Sequence, residues 1–191
     1  MTVARDPLTL PAPSLVLLAC GSPVAVAALQ AQAGPSLAAG LGLAWGRPLE
    51  PLTPDAALAD LPAASLVPVP RDPGHFLADG RHWAEVLGAW RQPALLLIDG
   101  DQLQTGLAAA AAALLQQWQV PSLGLVQVGG AWDGDQRRQE GLPWLGWWPA
   151  AAVAPGEVPQ GPPLVPPQDD AQAGLLLALR RRWRQQQAAL V

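Results

Sequence analysis

The sequence predicts an α/β fold: an open parallel sheet with helices on both faces, followed by one C-terminal helix. Three observations predict it. Short continuous apolar runs, such as residues 14–20 (SLVLLAC) and 94–98 (ALLLI), have the length and composition of strands buried on both faces. The segments between such runs carry helix start and stop signals. Strands and helices alternate along the chain, which implies parallel strands joined by right-handed crossovers.

Each element follows from local chemistry. The first strand, residues 14–20, runs directly into Gly21-Ser22-Pro23. Ser22 is a good N-cap and Pro23 suits the first helical position, so a helix is expected over 23–33, with Gly34-Pro35 as its stop. Residues 41–45 read as the next strand, Thr53-Pro54 opens a short helix that ends before Pro62, and residues 65–69 form another strand. Asp79 is placed to cap a helix running to Trp90. The clearest unit is a strand over 94–98, a helix over 102–118 and a strand over 122–128 (SLGLVQV). Residues 133–138 read as a solvated loop, and 143–148 add a last strand.

Seven prolines fall between Pro149 and Pro167 and interrupt regular structure, which reads as an extended linker. Residues 169–187 then form a helix with Asp169 and Asp170 at its positive end and Arg180, Arg181, Arg182 and Arg184 near its negative end. Leu175, Leu176, Leu179 and Trp183 share one face. The organisation is therefore an α/β domain over 1–149, a Pro-rich linker over 150–168, and an amphipathic helix over 169–191 packed on the domain.

Composition excludes several function classes. All eleven basic residues are arginine, so a phosphate loop of the G-x-x-x-x-G-K-[ST] kind and Schiff-base chemistry both lack their amine. Missing asparagine and tyrosine point to a GC-rich genome as one cause. A net charge of −4 gives no electrostatic footprint for nucleic acid. The single cysteine, Cys20, and the histidines His75 and His82 supply no metal cluster, and one cysteine fits a reducing, cytoplasmic setting. No apolar run approaches the ~20 residues of a membrane span. Residues 17–21 (LLACG) resemble a lipoprotein cleavage box behind Arg5, which would make the mature chain start at Cys20. Against that reading, Asp6 cancels the arginine and Pro7, Pro11 and Pro13 break the apolar stretch.

Taken in order, the motifs over residues 14–149 resemble dethiobiotin synthetase and its relatives among the cobyric-acid-synthase type of P-loop proteins. The family loop C/G-G-T-D-T-x-V-G-K-T falls on residues 20–29 (CGSPVAVAAL). Its start and Val26 agree, but the second glycine, the lysine and the magnesium-binding threonine fall on Ala27, Ala28 and Leu29. An aromatic followed by Lys-Pro becomes Trp45-Gly46-Arg47-Pro48, with arginine where lysine would meet substrate and phosphate. Residues 93–98, 120–127 and 142–149 (LPWLGWWP) follow the family's later segments more closely. The resemblance implies a P-loop NTPase-like, three-layer fold. It implies ATP and magnesium as ancestral cofactors, yet the phosphate cradle is absent. It also places base recognition near Gln127, Gly129, Trp148 and Pro149.

In an open parallel sheet, ligands bind beyond the carboxyl ends of the strands. The tentative ligand-binding residues are accordingly Gly21, Ser22, Arg47, Asp99, Asp101, Gln127, Gly129, Trp148 and Pro149. Each has a plainer reading. Asp101 with Gln104 spells a capping box, Ser22 a helix cap, and the tryptophans core filling. No catalytic residue and no metal ligand is assigned. The expectation is a relative of dethiobiotin synthetase that has lost ATP-dependent catalysis and acts by binding, as a homodimer or with a protein partner, and not with nucleic acid or a membrane. The alternative is an anion- or nucleotide-binding enzyme that uses Arg47 and the helix N-terminus at Ser22.

Overall fold

The computed structural model describes residues 13–50, 53–149 and 168–189; the proline-rich stretch 150–167 lies outside them. Six strands form one open sheet: β1 (Leu15–Ala19), β2 (Ala44–Trp45), β3 (Ser65–Pro68), β4 (Ala94–Asp99), β5 (Ser122–Val128) and β6 (Trp144–Trp148). All neighbours are parallel, in the order β2-β3-β1-β4-β5-β6. The predicted α/β class and parallel sheet are what the chain adopts. Every residue of β1 and the first five of β4 are buried, because helices cover both faces of the sheet's centre.

The helices are α1 (Pro23–Leu41), α2 (Pro54–Ala59), α3 (Trp83–Ala89), α4 (Leu107–Gln117), α5 (Gly134–Gln139) and α6 (Gln168–Ala189). Alternation along the strands divides the core in two. On one face Val16, Leu18, Leu96 and Ile98 meet Leu58 of α2, Trp83 and Leu87 of α3, and Leu115 of α4. On the other, Leu15, Leu17, Leu95 and Leu97 meet Val26, Ala33 and Leu37 of α1 and Leu175, Leu179 and Trp183 of α6. Right-handed crossovers explain the division. The chain steps one way across the sheet from β1 to β2, then the other way through β3, β4, β5 and β6, so α1 lies on one face and the later crossover helices on the opposite one. α6 packs on the same face as α1 and covers what α1 leaves bare.

The structure corrects several boundaries. α1 does not stop at Gly34-Pro35 but continues to Leu41, where Gly42 and Leu43 donate to the carbonyls of Ala39 and Ala38 in a Schellman cap. Pro35 is exposed, so the carbonyl its ring leaves unpaired can reach water. Gly34 is buried, and a Cβ there would stand 2.2 Å from the Trp45 indole. That glycine serves a close approach, not a helix end. α1 is 19 residues long with a mean hydropathy of 1.2, long and apolar enough by those measures to cross a membrane, and 44% of that stretch is buried against the rest of the protein. That length exists because Gly34 lies inside the helix and does not end it.

His82, not Asp79, caps α3: its Nδ1 accepts from the Glu85 amide at 3.2 Å. Asp79 and Gly80 instead form the tip of a short turn closed by the Phe76–His82 bridge. The long helix expected from residue 102 starts at Leu107, after a 3-10 turn over Gly100–Thr105. Asp101 makes no capping box; Asp99 caps that turn, accepting from the Asp101 amide at 3.0 Å. Residues 134–139 form α5, capped by Asp133, where a loop was expected. Trp144 and Trp148 do not share a face. Trp144 pairs with Leu125 and Gly146 with Val126, so Leu145 is an extra residue, and the slip sends Trp144 to the first core and Trp148 to the second.

Candidate functional site

β1 and β4 are neighbours whose following helices leave to opposite faces. The crevice beyond their carboxyl ends is the topological switch point, where such sheets hold ligands. Two segments frame it: the turn from β1 into α1, and the turn after β4.

The first of these is tight. Gly21 and Ser22 alone separate Cys20 from Pro23 of α1. The Ser22 hydroxyl accepts from the Ala25 amide at 3.3 Å, and its carbonyl accepts from the Val26 amide at 2.8 Å. The Gly21 amide, which a bound anion at this place would engage, donates instead to Oδ2 of Asp72 at 3.0 Å. The other oxygen of that carboxylate accepts from the Gly74 amide at 2.8 Å. Asp72 reaches the spot from the loop after β3, the strand beside β1. The same carboxylate touches Cys20: burial first, and then the Asp72 charge and hydrogen bond, push the Cys20 thiol well above its ordinary range.

Beyond this turn lies a cleft of about 240 Å³, lined by Ala25, Ala28 and Gln32 of α1 and by Asp99, Asp101 and Gly129 among others. Ala28 is the position where the resembled family carries its lysine. The charged groups on the lining are Asp99 and Asp101, both carboxylates. Polyphosphate binding needs opposed cations or convergent amides. This cleft presents alanine methyls and two negative charges.

The far wall is backbone on backbone. A Cβ on Gly100 would stand 2.1 Å from the Gly129 carbonyl oxygen, so only glycine lets the loops after β4 and β5 meet. Gln127, fully buried, braces the second loop by donating from Nε2 to the carbonyls of Gly129 at 2.9 Å and Ala131 at 3.0 Å. Trp147 Nε1 donates to the same Gly129 carbonyl at 3.0 Å, and the Gly129 amide donates to the Trp148 carbonyl at 2.8 Å. Trp148 itself is buried among the α1 and α6 side chains. The Pro149 carbonyl accepts from Gln32 Nε2 at 3.2 Å. Gln127 Nε2, the Gly129 backbone and the Pro149 carbonyl thus have hydrogen-bond partners within the fold and the Trp148 ring is packed in the core; the buried Oε1 of Gln127 has no partner among the described residues.

Arg47 lies elsewhere. It is exposed beyond the edge strand β2 and lines a separate depression of about 590 Å³ with Trp45, Glu50, Asp60 and neighbours. That depression shares no lining residue with the switch-point cleft. Of the nine predicted residues, the fold gathers Asp99, Asp101 and Gly129 on one cleft, with Gly21 and Ser22 at the head of the helix that borders it. Among the described residues no three His, Cys, Asp or Glu side chains come together as a metal-binding group. Sequence reading missed Asp72 and Gln32. The signal for Asp72 was a lone carboxylate in the Asp72-Pro73-Gly74 turn just after β3, which acquires meaning only once β3 is known to lie beside β1.

No protein-family model matches the sequence, and no curated protein matches it either. The fold stands without them. It is a Rossmann-like α/β domain with six parallel strands.

Proposed function

We propose that the protein is a P-loop-like domain of dethiobiotin synthetase shape in which ATP-dependent catalysis is lost, and that it works as a binding or interaction protein. The Asp72 carboxylate on the Gly21 amide carries this reading. A negative side chain takes the backbone donor that a phosphate would need, while Ala28 leaves the cleft without a cation and Asp99 and Asp101 add repulsion. The arginine alternative has less support, because Arg47 borders a different depression.

Calorimetric titration of the protein with ATP and magnesium tests the proposal. The expected result is no saturable heat and no phosphate release. Tight saturable binding accompanied by turnover of a carboxylate substrate would overturn it. The same reading takes the protein as cytoplasmic, from its single buried cysteine, and as a homodimer or a partner-bound chain. A lipoprotein starting at Cys20 would forfeit β1, the strand between β3 and β4.

A further inference from the structure

A groove of about 710 Å³ runs between α6 and the start of the edge strand β6, with Trp144, Leu145, Leu177, Arg181, Arg182 and Arg184 among its walls. Its charge is out of keeping with the chain. The protein carries a net charge of −4, yet four of its eleven arginines fall within residues 180–184. The helix dipole does not account for them, since it acts over the last turn, and α6 continues to Ala189 with no basic residue in its last turn. Arg180 Nε donates to the Gly40 carbonyl and Arg184 Nε to the Arg180 carbonyl. Arg181 and Arg182 have no hydrogen bond or ion pair among the described residues. One turn away Leu177 is 66% exposed, on the side of α6 opposite the buried Leu175 and Leu179.

We infer that this groove docks an acidic segment of a partner protein, with carboxylates on Arg181 and Arg182 and an aliphatic side chain against Leu177 and Leu145. The walls favour a peptide over the other polyanions. Single-stranded nucleic acid binds through aromatic faces on which bases stack, but the Trp144 ring is engaged: the Arg137 guanidinium lies 5.4 Å from its centroid and Trp132 packs edge to face against it. Glu140, bound to Trp144 Nε1 at 2.8 Å, is also paired with the Arg137 guanidinium, so that side offers no free cation for a continuous phosphate backbone, whereas a peptide with localised carboxylates needs only Arg181 and Arg182. A membrane surface calls for a broad apolar face; Leu177 is the one strongly exposed large apolar side chain on α6 among the described residues.

The test uses the full chain and fluorescence anisotropy with a short synthetic peptide of alternating glutamate and leucine. Its lysine–leucine counterpart, a single-stranded oligonucleotide and phosphatidylglycerol vesicles serve as comparison probes. Saturable binding of the acidic peptide is expected, weakened by salt and reduced about tenfold or more by Arg181→Glu with Arg182→Glu. Leu177→Asp weakens it as well. Both sites are exposed, so thermal unfolding of the variants should match that of the natural chain. The inference is overturned if the acidic peptide does not bind, if the double charge reversal leaves its affinity unchanged, or if the oligonucleotide or the vesicles bind more tightly. None of these outcomes bears on the ATP titration, because the groove and the switch-point cleft share no residue.

Discussion

At the scale of single residues, Asp72 determines the character of the loop after β1. It satisfies two backbone amides, those of Gly21 and Gly74, and a carboxylate acceptor makes such bonds stronger than a neutral one would. Asp72→Ala leaves both donors in a partly buried place, a loss of about 1–3 kcal/mol. For a domain of this size that corresponds to a fall in melting temperature of roughly 2–4 °C per kcal/mol. Asp72→Asn keeps one acceptor oxygen and should lie between. Cys20 provides a second readout. Its raised thiol pKa means that the neutral form dominates at pH 7, and the side chain is buried, so a disulfide reagent should label it only when denaturant opens the fold. Labelling as fast in native buffer as in denaturant would contradict this placement, and a faster rate in Asp72→Ala would tie the effect to that carboxylate.

At the scale of elements, the two glycine contacts show what the sequence could and could not convey. The strands were legible because burial on both faces leaves an uninterrupted apolar run, as in LVLLA of β1 and the ALLLI that precedes Asp99 in β4. Helix starts marked by Ser22-Pro23 and Thr53-Pro54 were legible too, since those signals are local. Gly34 was misread because its reason is the Trp45 indole from the next strand, a contact with no local signature. The 3-10 turn before α4 was hidden for the same cause: Gly100 must meet the Gly129–Gly130 backbone, and the chain reaches a helical path only after Gly106, at φ +74°. The candidate site was half legible. Position at the strand ends identified Asp99, Asp101 and Gly21, whereas the pairing of Asp72 with Gly21 depends on strand order. Gly100→Ala tests the backbone contact directly. Its methyl has no flexible side chain to displace, so the two loops must part, at a cost of about 1–3 kcal/mol by analogy with other overpacked sites. Gly130 contributes the opposing loop backbone of that contact from φ +62°, and hydrogen exchange at the amides of 129–131 should rise in the variant. Unchanged exchange and stability would mean that the loops are not pressed together.

For the whole molecule, the handedness of the crossovers creates a demand that α6 meets. From β3 onward the chain moves in one direction across the sheet, so every later right-handed connection lands on the same face. α1 shields the other face near β1 and β3, and nothing between β4 and β6 returns to cover Leu123, Val126 and Trp148 there. α6 does so with Leu175, Leu179 and Trp183, all at most 4% exposed, and Gly146 of β6 lies close beneath Leu175. The helix is therefore part of the core, although a long stretch outside the described residues separates it from β6 in sequence. Leu179→Ala, at a fully buried site, should cost about 2–5 kcal/mol, whereas Leu177→Ala on the exposed side should change stability by no more than about 0.5 kcal/mol. The contrast between two leucines two positions apart makes the test specific to the docked face. A chain ending at Pro149 should lose its cooperative unfolding transition and bind a hydrophobic dye, because that half of the sheet would then face water. A truncated chain that still unfolds in one sharp transition without binding dye would show that the sheet does not need this cover, and that α6 serves the partner groove alone.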